Sequence, residues 1–168
     1  MNLRALQEPI KESYRSNPEE ARISLSARGS QTDTPVTCSV DLGRAIQQAQ
    51  AHSGVGGPGT GACSGDLLLG ALAACAQTTC QMVATAMGIE TKRIEVVAEG
   101  EIDLRGTLGV SRDAPVGFES IRLRFDIDAP GATQEELESL YAKSERYCTV
   151  LQTLLSPPQI DTQLVASN

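Results

Sequence analysis

Two cysteines, Cys75 and Cys148, are the residues of this 168-residue chain best suited to chemistry. A thiolate is a strong nucleophile, and a second thiol within reach can form a disulfide with it and so reset it. Cys75 lies within a charge-free apolar run, residues 67–87, and Cys148 opens a second apolar segment at 148–155. Two cysteines on separate predicted helices suggest thiol redox chemistry, although a free cysteine is also a common small core residue.

The charge balance excludes several classes of partner. Lys and Arg number 14 against 21 Asp and Glu, which gives a net charge of −7. This balance argues against nucleic acid and against anionic membrane surfaces, both of which attract basic patches. Two Phe, three Tyr and no Trp offer few platforms on which bases could stack. We therefore expect a small-molecule partner for a single domain spanning residues 1–168.

The cysteine content and the N-terminal sequence predict a cytoplasmic location. Polar residues and Pro9 follow the first residues, without the apolar core of a signal peptide. Five cysteines, an odd number, fit a reducing compartment in which disulfides are transient and catalytic. The run at 67–87 is long enough to span a bilayer. Because Gln77, Gln81 and several threonines interrupt it, we interpret it as a central core helix.

The order of predicted elements indicates an α+β fold. Residues 1–19 are interpreted as an N-terminal arm or helix interrupted at Pro9, and a glycine-rich loop at 53–65 precedes the long helix. Gly88 ends that helix. Alternating patterns predict strands at 22–27, 36–42, 93–104, 121–128 and 159–166, with hairpin-turn composition at 28–33. Two further helices are predicted, one from the Thr133 cap to about Ser144 and one at 148–155.

Two motifs in this order resemble the OsmC/Ohr family, the osmotically inducible protein C and organic hydroperoxide resistance proteins. The first is Gly56-Gly57-Pro58-Gly59-Thr60-Gly61 followed by the helix that carries Cys75, and the second is Tyr147-Cys148-Thr149-Val150. The likeness covers residues 20–166, and the family more often has Pro after the second cysteine. It implies an intertwined homodimer in which antiparallel sheets wrap central helices and each active site forms at the subunit interface.

The resemblance also implies roles for the two cysteines. Cys75 would be the peroxidatic thiolate that reduces an organic hydroperoxide in an antioxidant stress response, becoming a sulfenic acid. Cys148 would be the resolving thiol, and a dihydrolipoyl or thioredoxin-like dithiol would reduce the resulting disulfide. No cofactor is implied. His52 and the cysteines lack the spacing of a metal site, so none is expected.

Stabilisation of the thiolate is where this chain departs from the family. Hydroperoxide reductases of the family use an Arg in the first hairpin and a Glu ten residues before the first cysteine. Arg28 is the matching cation, with Arg105 and Arg124 as secondary candidates. Gly65 occupies the usual Glu position, and the acid is Asp66, nine residues before Cys75. Nine steps along a helix turn the chain by about 180°, so direct contact with Cys75 is not expected.

Two hypotheses for function therefore stand side by side. The first is a thiol peroxidase that acts on organic hydroperoxides through Cys75 and Cys148. The second is a non-enzymatic ligand-binding or redox-sensing dimer of the same fold, favoured by the shifted acid and by Thr149 after the second cysteine. Of the other cysteines, Cys80 and Cys38 are interpreted as packing residues. Cys63, at the junction of loop and helix, is a partly buried bystander or a third exchanging thiol.

Overall fold

The computed structural model describes Pro9, Lys11, Glu12, Ser16, Asn17 and residues 28–31, 37–41, 46–109 and 111–166, with backbone alone at 28–31, 37–41 and 46. The strand predicted at 22–27 lies outside the described residues, as does most of the predicted N-terminal arm. Within that arm, Pro9, Lys11, Glu12 and Ser16 are helical.

Three antiparallel strands form the first sheet in the order β1-β2-β3. They are β1 Arg28–Gln31, β2 Thr37–Asp41 and β3 Ile46–Gln50. β2 confirms the strand predicted at 36–42. The turn predicted at 28–33 is wrong over its first four residues, because pairing with β2 extends the backbone there. β3, with sequence IQQAQ, was not predicted, since its glutamines lack the β-branched pattern of a strand and only pairing with β2 specifies it.

The central element is helix α1, Ser64–Met87. Its first turn is closed by Asp66, whose Oδ2 accepts a hydrogen bond from the backbone N–H of Cys63 at 2.8 Å. At its other end Gly88 takes the left-handed conformation with φ of 72°, which only glycine adopts without strain. The bounds predicted for this helix are therefore confirmed within a few residues.

Packing of α1 follows its helical period. The buried residues are Leu72, Ala76, Thr79, Cys80 and Ala84. Their spacing places them on one stripe of the helix. This stripe faces a second sheet, in which β4 Arg93–Glu101 and β5 Ser120–Asp128 are antiparallel. Alternate residues of these strands, such as Val96 and Phe125, pack on α1, and charged residues occupy the outer face of the sheet.

A 3-10 turn, Ser53–Val55, precedes α1, and three α-helices follow it. They are the short α2 Leu104–Thr107, then α3 Gln134–Tyr147 and α4 Thr149–Leu155. A capping box between Thr133 and Glu136 starts α3, as the sequence predicts. α1 contacts β4, α3 and α4. By length and composition α1 could also cross a membrane, but the core helix of a sheet-and-helix domain meets the same criteria. The α+β class with antiparallel strands is confirmed.

The C-terminal segment differs from its prediction. Residues 159–166 carry a strand-like pattern but form no strand in this chain, so that prediction is wrong here. Ile160, Leu164 and Val165 are 77%, 90% and 78% exposed. A strand is defined by hydrogen bonds to a neighbouring strand. Within the described part of the chain no strand pairs with this segment, and its apolar side chains remain in solvent.

Gly106 allows α2 to lie close to the following loop, and this contact is testable. A Cβ added at Gly106 would lie 2.1 Å from the carbonyl oxygen of Pro115 and 2.7 Å from that of Ala114. Gly106→Ala should therefore lower the free energy of unfolding by about 1–3 kcal/mol in urea denaturation, the usual cost of overpacking. Gly131→Ala is the control, because a Cβ there meets no atom within 4 Å. Equal stability of the two variants would contradict the close approach.

Candidate functional site: a buried thiol pair

The fold brings the two predicted cysteines together. Cys75 lies midway along α1 and is partly buried, whereas Cys148 is fully buried at the junction where α3 ends and α4 begins. The two thiols lie close enough for each to shift the pKa of the other, although they stand 73 positions apart in sequence. Both are free thiols. The pair is thus positioned by the packing of α4 against α1.

Opposing effects act on the thiol of Cys75. Burial raises its pKa, since a charged thiolate is poorly solvated inside the protein. Hydrogen bonds outweigh this effect and hold the pKa below its ordinary value; their donors are the Val150 amide, the Cys148 thiol, the Thr79 hydroxyl and the Thr149 amide. Four donors converging on one sulfur favour its thiolate form. Cys75 is therefore the activated thiol of the pair.

Cys148 has the opposite character. Burial raises the pKa of its thiol, and the neighbouring Cys75 raises it further through a hydrogen bond and through charge repulsion. The amides of Leu151 and Val150 oppose this shift without overcoming it. Cys148 is thus held as a neutral thiol that donates its proton towards Cys75.

The surroundings of the pair are apolar. Cys148 forms a core cluster with Leu72 and Ala76, and partly buried residues pack against it. These are Cys75, Val96, Ala98, Leu123, Phe125, Val150 and Leu151. These apolar neighbours lower the local dielectric around the pair and so strengthen each hydrogen bond to the thiolate, while Cys75 itself stays partly exposed.

Thr79 is a site residue that sequence reasoning missed. It lies one helical turn after Cys75 and is 5% exposed, and hydrogen bonding from its hydroxyl lowers the pKa of the Cys75 thiol. The available signal was its i, i+4 spacing from Cys75 in a helix otherwise made of apolar residues. The amides of Thr149 and Val150 were equally unforeseen as donors, because their direction depends on how α4 packs against α1.

The predicted carboxylate lies away from the pair. Asp66 stands in the first turn of α1, and all nine steps to Cys75 are helical. This places it about 13 Å along the axis and on the opposite side. Its carboxylate accepts the backbone and side-chain hydrogen bonds of Cys63, which lower its pKa. In this chain Asp66 therefore acts as a helix cap, and it does not contact Cys75.

The predicted cations are placed differently from one another. Arg28 begins β1 opposite Asp41, with its side chain outside the described part of the structure. Arg105 forms an ion pair with Asp103. Arg124 is exposed on the outer face of the second sheet, paired in register with Val97. Neither Arg105 nor Arg124 is among the groups that shift the pKa of Cys75.

The other cysteines have separate surroundings. Cys80 is fully buried with Ala84 and Leu140, and burial raises the pKa of its thiol, as a packing residue requires. Cys63 is partly buried at the start of α1. It stands twelve residues before Cys75 along the same chain, or about 18 Å of helix, which is too far for exchange with the pair. Among the side chains from residue 47 onward, no metal-binding cluster is formed.

Comparison with known sequences decides the family. The profile of the OsmC-like protein family matches residues 57–163, which include both cysteines of the pair. This chain belongs to the OsmC-like family. The match covers the segment around Cys148 and all of the glycine-rich motif before α1 except its first residue, Gly56. By sequence, the chain matches no curated protein.

Solved structures support the same fold. An OsmC-like protein from Mycoplasma pneumoniae superposes with a TM-score of 0.66 and 16% identity over 80% of this chain and 89% of that one. An organic hydroperoxide resistance protein from Elizabethkingia anophelis superposes with a TM-score of 0.60 and 19% identity, over 81% of this chain and 91% of that one. An OsmC-like protein of unknown function from Vibrio cholerae superposes with a TM-score of 0.64 and 12% identity, over 79% of this chain and 94% of that one. At these identities the comparisons establish the fold alone.

Removing the Thr79 hydroxyl should change the acidity of Cys75. Thr79→Val preserves shape but removes one donor to the thiolate, so the pKa of Cys75 should rise. The rate of alkylation of Cys75 should then reach half its maximum at a higher pH, because only the thiolate reacts. Iodoacetamide labelling across pH, read by mass spectrometry of the Cys75 peptide, measures this shift.

A neighbouring threonine provides the control for that experiment. The hydroxyl of Thr78 donates to the carbonyl oxygens of Ala74 and Cys75 at 2.9 and 3.1 Å and not to the sulfur. Thr78→Val should therefore leave the pH profile of Cys75 unchanged. In the unmodified protein, the alkylation rate should fall as pH drops through the pKa of Cys75, which hydrogen bonds hold below its ordinary value. An unshifted profile in Thr79→Val would refute the hydrogen-bond account.

Proposed function

We propose that this OsmC-like protein is a thiol-dependent peroxidase that reduces organic hydroperoxides through Cys75 and Cys148. One observation carries the proposal: the Cys75 thiol with a lowered pKa lies against the Cys148 thiol with a raised pKa. An attacking thiol needs its thiolate form, whereas a resolving thiol needs only to be within reach. The names of structural neighbours that are organic hydroperoxide resistance proteins agree with the proposal.

The reaction can be written with these two residues. The Cys75 thiolate attacks the outer oxygen of the hydroperoxide, so that a sulfur–oxygen bond forms as the oxygen–oxygen bond breaks. The alkoxide leaves and takes up a proton to become the alcohol, and Cys75 becomes a sulfenic acid. The Cys148 sulfur then displaces the hydroxyl group as water, which leaves a Cys75–Cys148 disulfide. An external dithiol, of dihydrolipoyl or thioredoxin type, returns both sulfurs to thiols and becomes a disulfide itself.

The apolar surroundings of the pair support an organic substrate. Leu72, Val150 and Leu151 pack close to the sulfurs, and a hydrocarbon group bound there gains from leaving water. Hydrogen peroxide gains nothing from these contacts. Arg28 remains the proposed cation for the leaving alkoxide, whereas Asp66, the predicted acid, caps α1. We place the reaction in the cytoplasm, where dithiol reductants are available.

A second candidate function is a redox-sensing or ligand-binding dimer. The observation that favours it is the position of Asp66, which caps α1 at a distance of about 13 Å along the helix from Cys75. Without a carboxylate beside the thiols, the pair would lose a group that positions a cation. In that case the pair would oxidise slowly and without preference between organic and inorganic peroxide.

Peroxide kinetics distinguish the two candidates. Reduced protein is mixed with cumene hydroperoxide or hydrogen peroxide in a stopped-flow instrument, and the cysteines are then analysed by mass spectrometry. The peroxidase should consume cumene hydroperoxide at least tenfold faster than hydrogen peroxide and accumulate the Cys75–Cys148 disulfide. Cys75→Ser should abolish consumption. Cys148→Ser should permit one turnover and stop at the sulfenic acid.

Controls for these kinetics use the remaining thiols. Cys80→Ser or Cys63→Ser removes a cysteine outside the pair and should leave the first turnover unchanged, provided the variant remains folded by circular dichroism. Equal rates with both peroxides, or a full rate in Cys75→Ser, would refute the peroxidase and favour the sensor.

We also propose that the protein works as a homodimer. The single chain leaves apolar side chains in solvent that a second copy would bury, namely Leu155 at 67% exposure together with Ile160, Leu164 and Val165 of the C-terminal segment. Light scattering coupled to size exclusion should give twice the chain mass of 17.8 kDa. Leu164→Asp together with Val165→Asp should shift the protein towards monomer, whereas Thr162→Asp in the same segment should not. A monomeric mass for the unmodified protein would contradict this proposal.

A further inference from the structure

The chain breaks between α3 and α4 at a single residue, Cys148. α3 ends at Tyr147 and α4 begins at Thr149, while Cys148 has extended backbone with φ of −75° and ψ of 103°. The last four carbonyl groups of an α-helix have no amide partner within the helix. The break therefore leaves carbonyl groups at the end of α3 that must find other donors.

The same break directs two amides to Cys75. In a continuous helix each backbone N–H donates to the carbonyl four residues earlier, so the Thr149 amide would donate to the Glu145 carbonyl. Here the amides of Thr149 and Val150 instead hydrogen bond to the Cys75 sulfur and lower its pKa. Within the described part of the chain, no charged side chain is among the groups that shift this pKa, and the neighbouring residues of β4 and β5 are apolar. Stabilisation of the thiolate thus depends on the break.

Gln152 occupies the carbonyl that the Thr149 amide leaves free. Its side-chain Nε2 donates to the carbonyl oxygen of Glu145 at 3.0 Å. Its backbone N–H donates to the carbonyl oxygen of Cys148 at 2.9 Å, within the first turn of α4. Gln152 therefore ties the end of α3 to the start of α4. Because the residue is exposed, this hydrogen bond and not core packing is the contribution of its side chain.

We propose that Gln152 is a positioning residue that keeps the chain broken at Cys148. Its side-chain amide takes the place of the Thr149 amide at the Glu145 carbonyl. Without this donor the carbonyl recaptures the Thr149 amide, which joins the two helices and withdraws a hydrogen bond from Cys75. Gln152 is not itself among the groups that shift the pKa of Cys75, so it acts through the backbone of α4.

Gln152→Met tests this role, because it keeps the length of the side chain and removes its donor. Iodoacetamide alkylation of Cys75 is followed across pH by mass spectrometry. At pH 7 the rate should fall about threefold or more, and the difference should narrow at high pH, where the thiol is fully ionised in both proteins. A residue that only stabilised the fold would lower the free energy of unfolding in urea and leave the pH profile in place, which would overturn the proposal.

Two further variants serve as control and rescue. The Thr153 hydroxyl donates to the Thr149 carbonyl at 2.8 Å within α4, so Thr153→Val should leave the profile unchanged. Gln152→Lys retains a donor for the Glu145 carbonyl, and its positive charge can only lower the pKa of Cys75. It should react at pH 7 at least as fast as the unmodified protein. Slower alkylation in Gln152→Lys, or equal shifts in Gln152→Met and Thr153→Val, would overturn the proposal.

The backbone at the break gives a second readout. If α3 and α4 join in Gln152→Met, the ¹³Cα chemical shift of Cys148 should move towards helical values in the NMR spectrum. The shift should stay at its original position in Thr153→Val. An unchanged Cys148 shift in Gln152→Met would overturn the proposal.

The inference rests on the proposed function only for its kinetic consequence, which is a slower first turnover of cumene hydroperoxide by Gln152→Met at pH 7. Alkylation and NMR contain no peroxide and are independent of it. A shifted alkylation profile in a protein that does not consume peroxide would refute the peroxidase and leave the role of Gln152 standing. Rapid peroxide consumption with an unshifted profile would do the reverse.

Discussion

Helix α1 has an apolar stripe that must be buried, and four of the described elements, β4, β5, α3 and α4, pack against it. The helix has a single charged residue, Asp66, in its first turn. A helix with an apolar stripe must pack it against other elements, because its own hydrogen bonds add little net stability in water. The inner face of β4 and β5 covers one part of the stripe, and α3 and α4 cover another. The thiol pair is located where α4 meets α1.

Burial sets the chemistry of that pair through a competition. Removing a thiol from water raises its pKa, and both cysteines experience this penalty. The packing of α4 then directs the amides of Thr149 and Val150 towards Cys75, and Thr79 contributes its hydroxyl from the next turn of α1. The net effect on the pKa differs between the two thiols. Hydrogen bonds outweigh burial at Cys75 and lower its pKa, whereas burial prevails at Cys148 and raises its pKa. An asymmetric pair results from two chemically identical side chains.

The two ends of α1 have separate surroundings. At the N-terminal end, Asp66 closes the first turn. In the middle, Cys75 depends on hydrogen bonds from α4 and from Thr79 and not on Asp66. Asp66, the single acidic residue of α1, thus caps the helix at its N-terminus, where free backbone N–H groups favour a negative charge. A carboxylate at position 65 would project from a different side of α1 than Asp66 does, because successive helical residues are rotated by about 100°.

What the sequence determined by itself was local. The capping residues Asp66 and Thr133, the stop at Gly88 and the alternation in β5 act over a few residues, so their patterns predict α1, α3 and β5 closely. The two cysteines could be singled out because their motifs resemble those of the family. Tertiary structure alone decided which groups surround them, since the amides at the start of α4 and the hydroxyl of Thr79 reach Cys75 only after α4 has packed on α1.

Pairing between distant segments decided the rest. β1 replaced a predicted turn, and the glutamine-rich β3 formed without any strand pattern, because each gains its hydrogen bonds from β2. Residues 159–166 show the converse, since their strand pattern finds no neighbouring strand in the described part of the chain, and the segment forms no strand and remains exposed. A strand is a property of two segments, whereas a capped helix is a property of one. This difference in range is the physical reason that helix ends could be predicted from sequence and strand partners could not.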